Sequence, residues 1–280
     1  METRGRCISQ HRGVSKGVRN LTFAVVALAG LNCARAEMLL VVNPGFENIS
    51  GEAQFNEFTF GPLSGWNLYD PSNITNGGAG GTFFIGTLTP TAPIYFTNGA
   101  AEGSRVGIAF NYFGSGGQGE YGFQQTLTST LQASTNYSLQ VEIGNIASGT
   151  GIDGTFFNLD GFPGYRVDLL AGITVLNQDN NTFAGSIGEG LFSTSLLQFS
   201  TGASHPLLGQ ALGIRLVNLN VVDAGFPLAD LEVDFDNVRL SAVSAVPEPT
   251  SLLLIALMTT PFLIRRLKAR SRSYFISLLS

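Results

Sequence analysis

The chain has 280 residues, 44% of them hydrophobic and only 12% charged, with a formal net charge of −5. That average hides a division. Eleven of the fifteen basic residues sit at the two ends, while Met38–Pro249 carries four basic side chains, no lysine and eighteen acidic ones, a balance of −14. A surface this acidic repels a phosphate backbone, so no nucleic-acid partner is expected. At the N-terminus Arg4, Arg6, Arg12, Lys16 and Arg19 form a basic region. Leu21–Leu31 is apolar but short for a membrane span, and Ala34-Arg35-Ala36 fits an A-x-A cleavage pattern. Residues 1–36 therefore read as a signal peptide, with Glu37 as the first mature residue. Cys7 and Cys33 both precede the cut, so the exported domain is expected to have no disulfide. Asn32 is a poor neighbour for lipidation at Cys33.

Residues 37–240 are Gly-rich, Phe-rich and poor in helix formers, and no long stretch has a 3.6-residue apolar period. Short alternating or β-branched runs predict strands at Leu39–Val42, Gly65–Tyr69, Ile94–Thr97, Arg105–Tyr112, Tyr121–Leu127 and Asn136–Gly144. Further strands are predicted at Tyr165–Leu170, Ile173–Leu176, Ser193–Phe199, Leu212–Asn220 and Val233–Leu240. Pro71–Thr82 and Ala147–Gly164, rich in Gly, Asn and Asp, are predicted loops. Many strands without helices between them imply an all-β fold, a jelly-roll β-sandwich, and the absence of a fixed period argues against a propeller or solenoid.

The opening run Val42-Asn43-Pro44-Gly45-Phe46-Glu47, then Gly65-Trp66, and the closing run Val233-Asp234-Phe235-Asp236-Asn237-Val238-Arg239-Leu240 resemble the galactose-binding-like jelly rolls that include many carbohydrate-binding modules. That resemblance implies that the first and last strands lie side by side, with a structural Ca²⁺ near them. Glu47 and Asp236 are the residues it points to, with Asn237 standing where the pattern often has a second aspartate. Strand geometry adds an independent constraint. Asp230, Glu232, Asp234 and Asp236 share one face and Leu231, Val233 and Phe235 the other. Val238 and Leu240 then fall on the acidic face, unless a bulge switches the pattern or Asp236 points inward. An inward carboxylate needs a cation or donors, and Ca²⁺ takes six to eight oxygens. The alternative is a half-buried strand with a solvated acidic face.

Sugar-stacking rings would come from Tyr69, Tyr112 and Trp66, although Trp66 suits a core position as well as a platform. Catalytic signals are missing. His205 is the one histidine after the predicted cut, and no G-x-S-x-G elbow, H-E-x-x-H or Cys/His cluster occurs. Gly114-Ser115-Gly116-Gly117-Gln118-Gly119 matches G-x-G-x-x-G but precedes a predicted strand, not a helix, and so reads as a hairpin loop. No enzyme activity is expected from these residues.

The tail has three parts. Residues 241–250 form a linker containing Pro247-Glu248-Pro249, residues 251–264 an apolar helix, and residues 265–280 a basic cytoplasmic segment that starts with Arg265 and Arg266. This order resembles the PEP-CTERM sorting signal of Gram-negative bacteria. The resemblance implies an exosortase-like processing enzyme, a transient inner-membrane anchor, and a final place at the cell surface or outside it, beside extracellular polysaccharide. The expectation is an exported carbohydrate-binding or adhesive module. A matrix protein without a saccharide site and a glycoside-active enzyme are the alternatives.

Overall fold

The computed structural model describes residues 36–78, 83–112 and 119–244. The expected signal peptide, Pro247-Glu248-Pro249, the helix at 251–264, Arg265, Arg266 and most of the glycine loop lie outside the described residues. Among the described residues every regular element is a strand, and no helix is long and apolar enough to cross a membrane.

The chain order is β1 (Glu37–Leu39), β2 (Gln54–Phe55), β3 (Phe58–Phe60), β4 (Asn67–Tyr69), β5 (Phe83–Leu88), β6 (Val106–Asn111), β7 (Tyr121–Thr130) and β8 (Thr135–Asn145). Then come β9 (Gly149–Thr150), β10 (Phe156–Phe157), β11 (Tyr165–Ala171), β12 (Thr174–Asn180), β13 (Leu191–Ser200), β14 (Ala211–Asn218) and β15 (Leu231–Ser244). One sheet runs β13-β8-β15-β6-β5-β3-β2, with β1 paired to β15; the other runs β12-β11-β14-β7-β4. All pairings are antiparallel. The expected side-by-side placement of the chain's opening and closing strands is present, with Leu39 opposite Leu240.

The two sheets close on one apolar core. Val141 and Ile143 of β8 and Val233 and Phe235 of β15 meet Val167 and Leu169 of β11, Ile214 and Leu216 of β14, and Phe123 of β7. Alternation explains why these positions are apolar, since every second residue of each strand faces the partner sheet. Trp66 belongs to this core. It is 1% exposed, lies 5.3 Å from the Phe46 ring in a stacked arrangement, and donates its indole N–H to the Asn43 carbonyl. Trp66 is therefore corrected from a ligand platform to a packing residue.

A second apolar cluster sits on the other face of the larger sheet. Phe84 and Leu88 of β5, with Val106, Ile108 and Phe110 of β6, are covered by Tyr95, Phe96, Ile146 and Leu159 from the connecting segments. β5 is thus apolar on both faces: Ile85 enters the inter-sheet core while Phe84 and Leu88 enter this one. The strand expected at Ile94–Thr97 is a turn whose side chains roof this cluster. The loop expected at Ala147–Gly164 contains the short β9–β10 hairpin. The hairpin β2–β3 gave no strong periodic signal, being too short.

The acidic alternation on β15 keeps its register but not its solvated face. Glu232 lies opposite Phe110, and Asp234 opposite Ile108 and Gly144, so both project toward the second cluster. A bulge follows. The pairing with β8 shifts between Asp236 and Arg239, and Asn237 adopts a φ of 50°, a left-handed conformation that asparagine tolerates. The extra residue returns Val238 and Leu240 to the inter-sheet core.

Candidate functional site

The second apolar cluster does not fill its space. A cavity of about 220 Å³ lies there, walled by the phenylalanine rings 55, 58, 60, 84, 110 and 157, with Tyr95, Tyr112, Ile146 and Leu159. Two carboxyl side chains, Glu232 and Asp153, complete the lining. The rings interlock: Phe60 meets Phe84 edge-on at 4.8 Å, and Phe84 lies 4.9 Å from Phe110. Phe58 and Phe110 both lean on Phe157, at 5.6 and 6.4 Å. Three local features build this wall. The β2–β3 hairpin supplies Phe55, Phe58 and Phe60, and the β9–β10 hairpin supplies Phe157. Gly86 lets β3 approach β5 so closely that a Cβ there would lie 1.9 Å from the Thr59 carbonyl oxygen.

Glu232 is the chemical group of this cavity. It is 4% exposed, and its Oε1 meets no donor. Burial, reinforced by the negative charge of Asp230, pushes its carboxyl up to about 8, while Asp234 acts in the opposite direction. Asp234 is fully buried and is held well above the usual carboxylate range by burial and by Glu232. No N–H or O–H of another residue reaches either Asp234 oxygen. Two residues apart on one face of β15, the carboxyls are close enough for the charge of Glu232 to add to the burial that holds the Asp234 proton. A carboxylic acid that stays protonated near neutrality, set in an aromatic wall, can give a proton to an apolar ligand.

The residues expected to bind ligand are dispersed. Tyr112, 55% exposed, stands at the cavity and lines it. Tyr69 does not line it; its hydroxyl donates to Glu120 at 2.7 Å, and the Arg215 guanidinium lies 4.6 Å from its ring centre. That face of the smaller sheet is held by Arg166, which binds Glu120 and Asp168. The expected metal residues do converge on one turn. Glu47 Oε1 accepts the backbone N–H groups of Ser104 and Arg105 at 2.6 and 2.8 Å, and Asp236 Oδ2 accepts that of Glu102 at 2.7 Å. Asp236 is fully buried and pushed up to about 7, first by burial and then by the charges of Glu102 and Glu47, against the pull of two backbone donors. Glu102 was not expected, because its strand-to-strand loop carries no motif. Among the described residues no three His, Cys, Asp or Glu side chains form a metal-holding group by themselves.

Sequence reasoning missed Glu232 as a site residue because nothing in the alternation distinguishes an acid under a roof from an acid in water. The available signal was the excess of phenylalanine in short runs, Phe55 to Phe60, Phe83-Phe84 and Phe156-Phe157.

Comparison with known proteins agrees with a reactive cavity. Residues 37–241 match the HpiC1-like family, described as HpiC1 cyclase. A crystal structure of a cyclase from Fischerella sp. TAU is 38% identical, with 76% of this chain and 100% of that chain covered and a TM-score of 0.61. A Stig cyclase, Fisc, from the same organism was solved in complex with (3Z)-3-(1-methyl-2-pyrrolidinylidene)-3H-indole; it is 38% identical over 76% and 100% of the two chains, with a TM-score of 0.60. A Fischerella sp. TAU cyclase in complex with 4-(1H-indol-3-yl)butan-2-one is 37% identical over 75% and 100%, with a TM-score of 0.61. No curated protein sequence matches the chain. These relatives overturn the expectation of a non-enzymatic adhesive or carbohydrate-binding module. They likewise replace the exosortase-like enzyme, the membrane and the polysaccharide as expected partners, since what the solved relatives hold is a small molecule. The fold resemblance had pointed to sugar because the same sandwich serves unrelated sites. The chain belongs to the HpiC1-like cyclase family.

Proposed function

We propose that this protein cyclises an indole-bearing, unsaturated small molecule by acid initiation in the aromatic cavity, on a jelly-roll sandwich. The observation that carries the reading is Glu232, a carboxyl buried in a wall of phenylalanine rings and kept protonated by that burial. The Glu232 O–H bond breaks, and its proton forms a C–H bond with a substrate π bond. The resulting cation is captured by a second π system, which forms the new C–C bond. Loss of a proton from the captured product returns it to the Glu232 carboxylate, so the net change is an isomerisation. The ring faces of Phe60, Phe84, Phe110 and Phe157 suit the cationic stage, because an aromatic face attracts positive charge. The same rings exclude water that would trap the cation as an alcohol. The indole class is supported by the ligands named for the Fischerella relatives.

Calcium belongs to this reading as a structural ion. The residues present fit it: Asp236 is a buried carboxylate beside Glu102 and Glu47, whose negative charges act on it. A Cβ at Gly45 would lie 2.5 Å from Glu102 Oε2 and 3.6 Å from Asp236 Oδ1, so the missing side chain leaves both carboxylates facing one space. Asp236, Glu102 and Glu47, completed by backbone carbonyls or water, would hold the ion and tie the opening segment to β15. Its role there is to neutralise charge at the end of the strand that carries Glu232.

Export completes the proposal. The basic region, the apolar Leu21–Leu31 and Ala34-Arg35-Ala36 support it, and an intact mass beginning at Glu37 would test it.

The decisive experiment is turnover of a set of 3-alkenyl indoles, built on the indole skeleton of the ligands named for the Fischerella relatives, by the purified protein, compared with Glu232→Gln, with and without 1 mM-scale Ca²⁺ (a working concentration on the order of that needed by weak protein sites). Formation of a ring-closed isomer of unchanged mass, lost in the variant, is expected. No isomer from any indole substrate, with the protein folded and Ca²⁺ supplied, would overturn the reading. A melting temperature unmoved by EGTA or Ca²⁺ would remove the ion from it.

A further inference from the structure

The turn between β2 and β3 consists of two residues, Asn56 and Glu57, with Phe55 paired to Phe58 across it. A carboxylate at a hairpin tip normally stands in water, yet Glu57 is 3% exposed. Its Oε1 accepts two hydrogen bonds, from the Ile152 backbone N–H at 3.1 Å and from the Tyr95 hydroxyl at 3.3 Å. The second contact is longer than a usual O–H···O bond. Oε2 has no partner. Two glycines seat the β9–β10 hairpin over this pair. A Cβ at Gly151 would lie 2.8 Å from Glu57 Oε1, and one at Gly149 would lie 3.1 Å from the Tyr95 ring.

Tyr95 lines the cavity and Glu57 does not. A phenol has one proton and two lone pairs, and a carboxylate can only accept. Burial, with the charge of Glu57 added, pushes the Tyr95 phenol up, so the shared proton stays on Tyr95. What the phenol can still offer a ligand is an acceptor oxygen, made more electron-rich by the carboxylate behind it.

We infer that Glu57 is a positioning residue for the cyclase cavity: by accepting the Tyr95 proton it fixes Tyr95 as a hydrogen-bond acceptor toward the ligand, and so selects a heteroaromatic ring with a free N–H. This rests on the indole reading above and adds the group that recognises the ring nitrogen. A ring with an acceptor in that place, such as a benzofuran, would set two lone-pair oxygens against each other, and neither could turn to donate.

The test is calorimetric binding of 4-(1H-indol-3-yl)butan-2-one and of its benzofuran counterpart, which replaces the N–H by oxygen and keeps the shape. Wild-type protein is expected to prefer the indole by about tenfold, the value of one well-made neutral hydrogen bond. Tyr95→Phe, which keeps the ring and deletes the oxygen, is expected to bind both alike. Glu57→Gln can donate from its amide to the phenol oxygen and free the phenol proton to turn inward. It is expected to gain affinity for the benzofuran relative to the indole. A merely structural Glu57 would weaken both ligands equally and leave the ratio unchanged, and that result overturns the inference. Equal binding of both ligands to wild type, or an intact preference in Tyr95→Phe, overturns it too while leaving the indole reading standing. Failure of wild type to bind either ligand overturns both.

Discussion

Replacing Glu232 by glutamine should make the protein more stable at high pH and slow its turnover at every pH. The side chain keeps its shape, so the effect comes from the proton. In the unfolded chain this carboxyl ionises near 4.5, whereas in the fold burial holds the proton up to about 8. Each tenfold difference in proton affinity is about 1.4 kcal/mol, so ionising Glu232 inside the cavity costs on the order of 5 kcal/mol. The sign follows from linkage. Below 4.5 both states hold the proton and no penalty exists. Between 4.5 and 8 the unfolded chain ionises while the fold does not, and stability falls as pH rises. Above 8 the penalty is complete. The groups acting on Glu232 are Asp230 and Asp234, and it in turn acts on Tyr95 and Tyr121. Because Asp234 is raised alongside Glu232, the separable part is smaller; a part of about 2 kcal/mol corresponds, for a domain of this size, to a shift of about 4–8 °C in Tm. Asp236 titrates near 7 in both proteins and cancels in the difference. Urea unfolding of wild type and variant at pH 5 and pH 9 measures that difference directly. Wild type should lose ground to the variant on going to pH 9. In turnover, wild-type activity should fall as pH rises through about 8, and the variant should be slower by about 100-fold or more, the usual contribution of a positioned acid. Parallel stability profiles together with retained turnover would refute the reasoning.

Two further outcomes follow from packing. Asp179 Oδ2 accepts the hydroxyls of Tyr165 and Ser195 at 2.7 and 2.5 Å, and Oδ1 accepts the Thr182 backbone N–H at 3.1 Å, which joins the β12 edge of one sheet to the β13 edge of the other. Asp179→Ala strands two buried hydroxyl donors and the part-buried Thr182 N–H, and should cost about 2–4 kcal/mol in urea unfolding, and Ser195→Ala about 1; a loss below about 0.5 kcal/mol in the first would show that water takes over these donors. Gly86→Ala places a Cβ 1.9 Å from a backbone oxygen that cannot retreat as a side chain does, so β3 must separate from β5. The expected result is a loss of about 3 kcal/mol or more and loss of indole binding, because Phe58 and Phe60 move with β3; unchanged calorimetric binding would show that the cavity does not depend on that strand pairing.

The distribution of charge, the β periodicity and the lack of a helical period were legible in the sequence, and they led to the two-sheet sandwich and to most of its strands. The phase change on β15 between Phe235 and Val238 was also visible, since alternation is a local property of the backbone; it left a bulge or an inward Asp236 as alternatives, and the fold has both. Glu47 and Asp236 were brought to one turn as the opening and closing runs implied. The catalytic reading was not legible. Whether Glu232 faces water or a cavity depends on Phe55 to Phe60, Tyr95 and Phe157 folding over it, and those residues lie some 75 to 177 positions away along the chain. The two hairpins that do this are built from strands of two or three residues with no period to detect. Local pattern determined which residues share a face of a strand; only the tertiary structure decided what covers that face, and the cost of burying a charge there is what turned an ordinary glutamate into an acid.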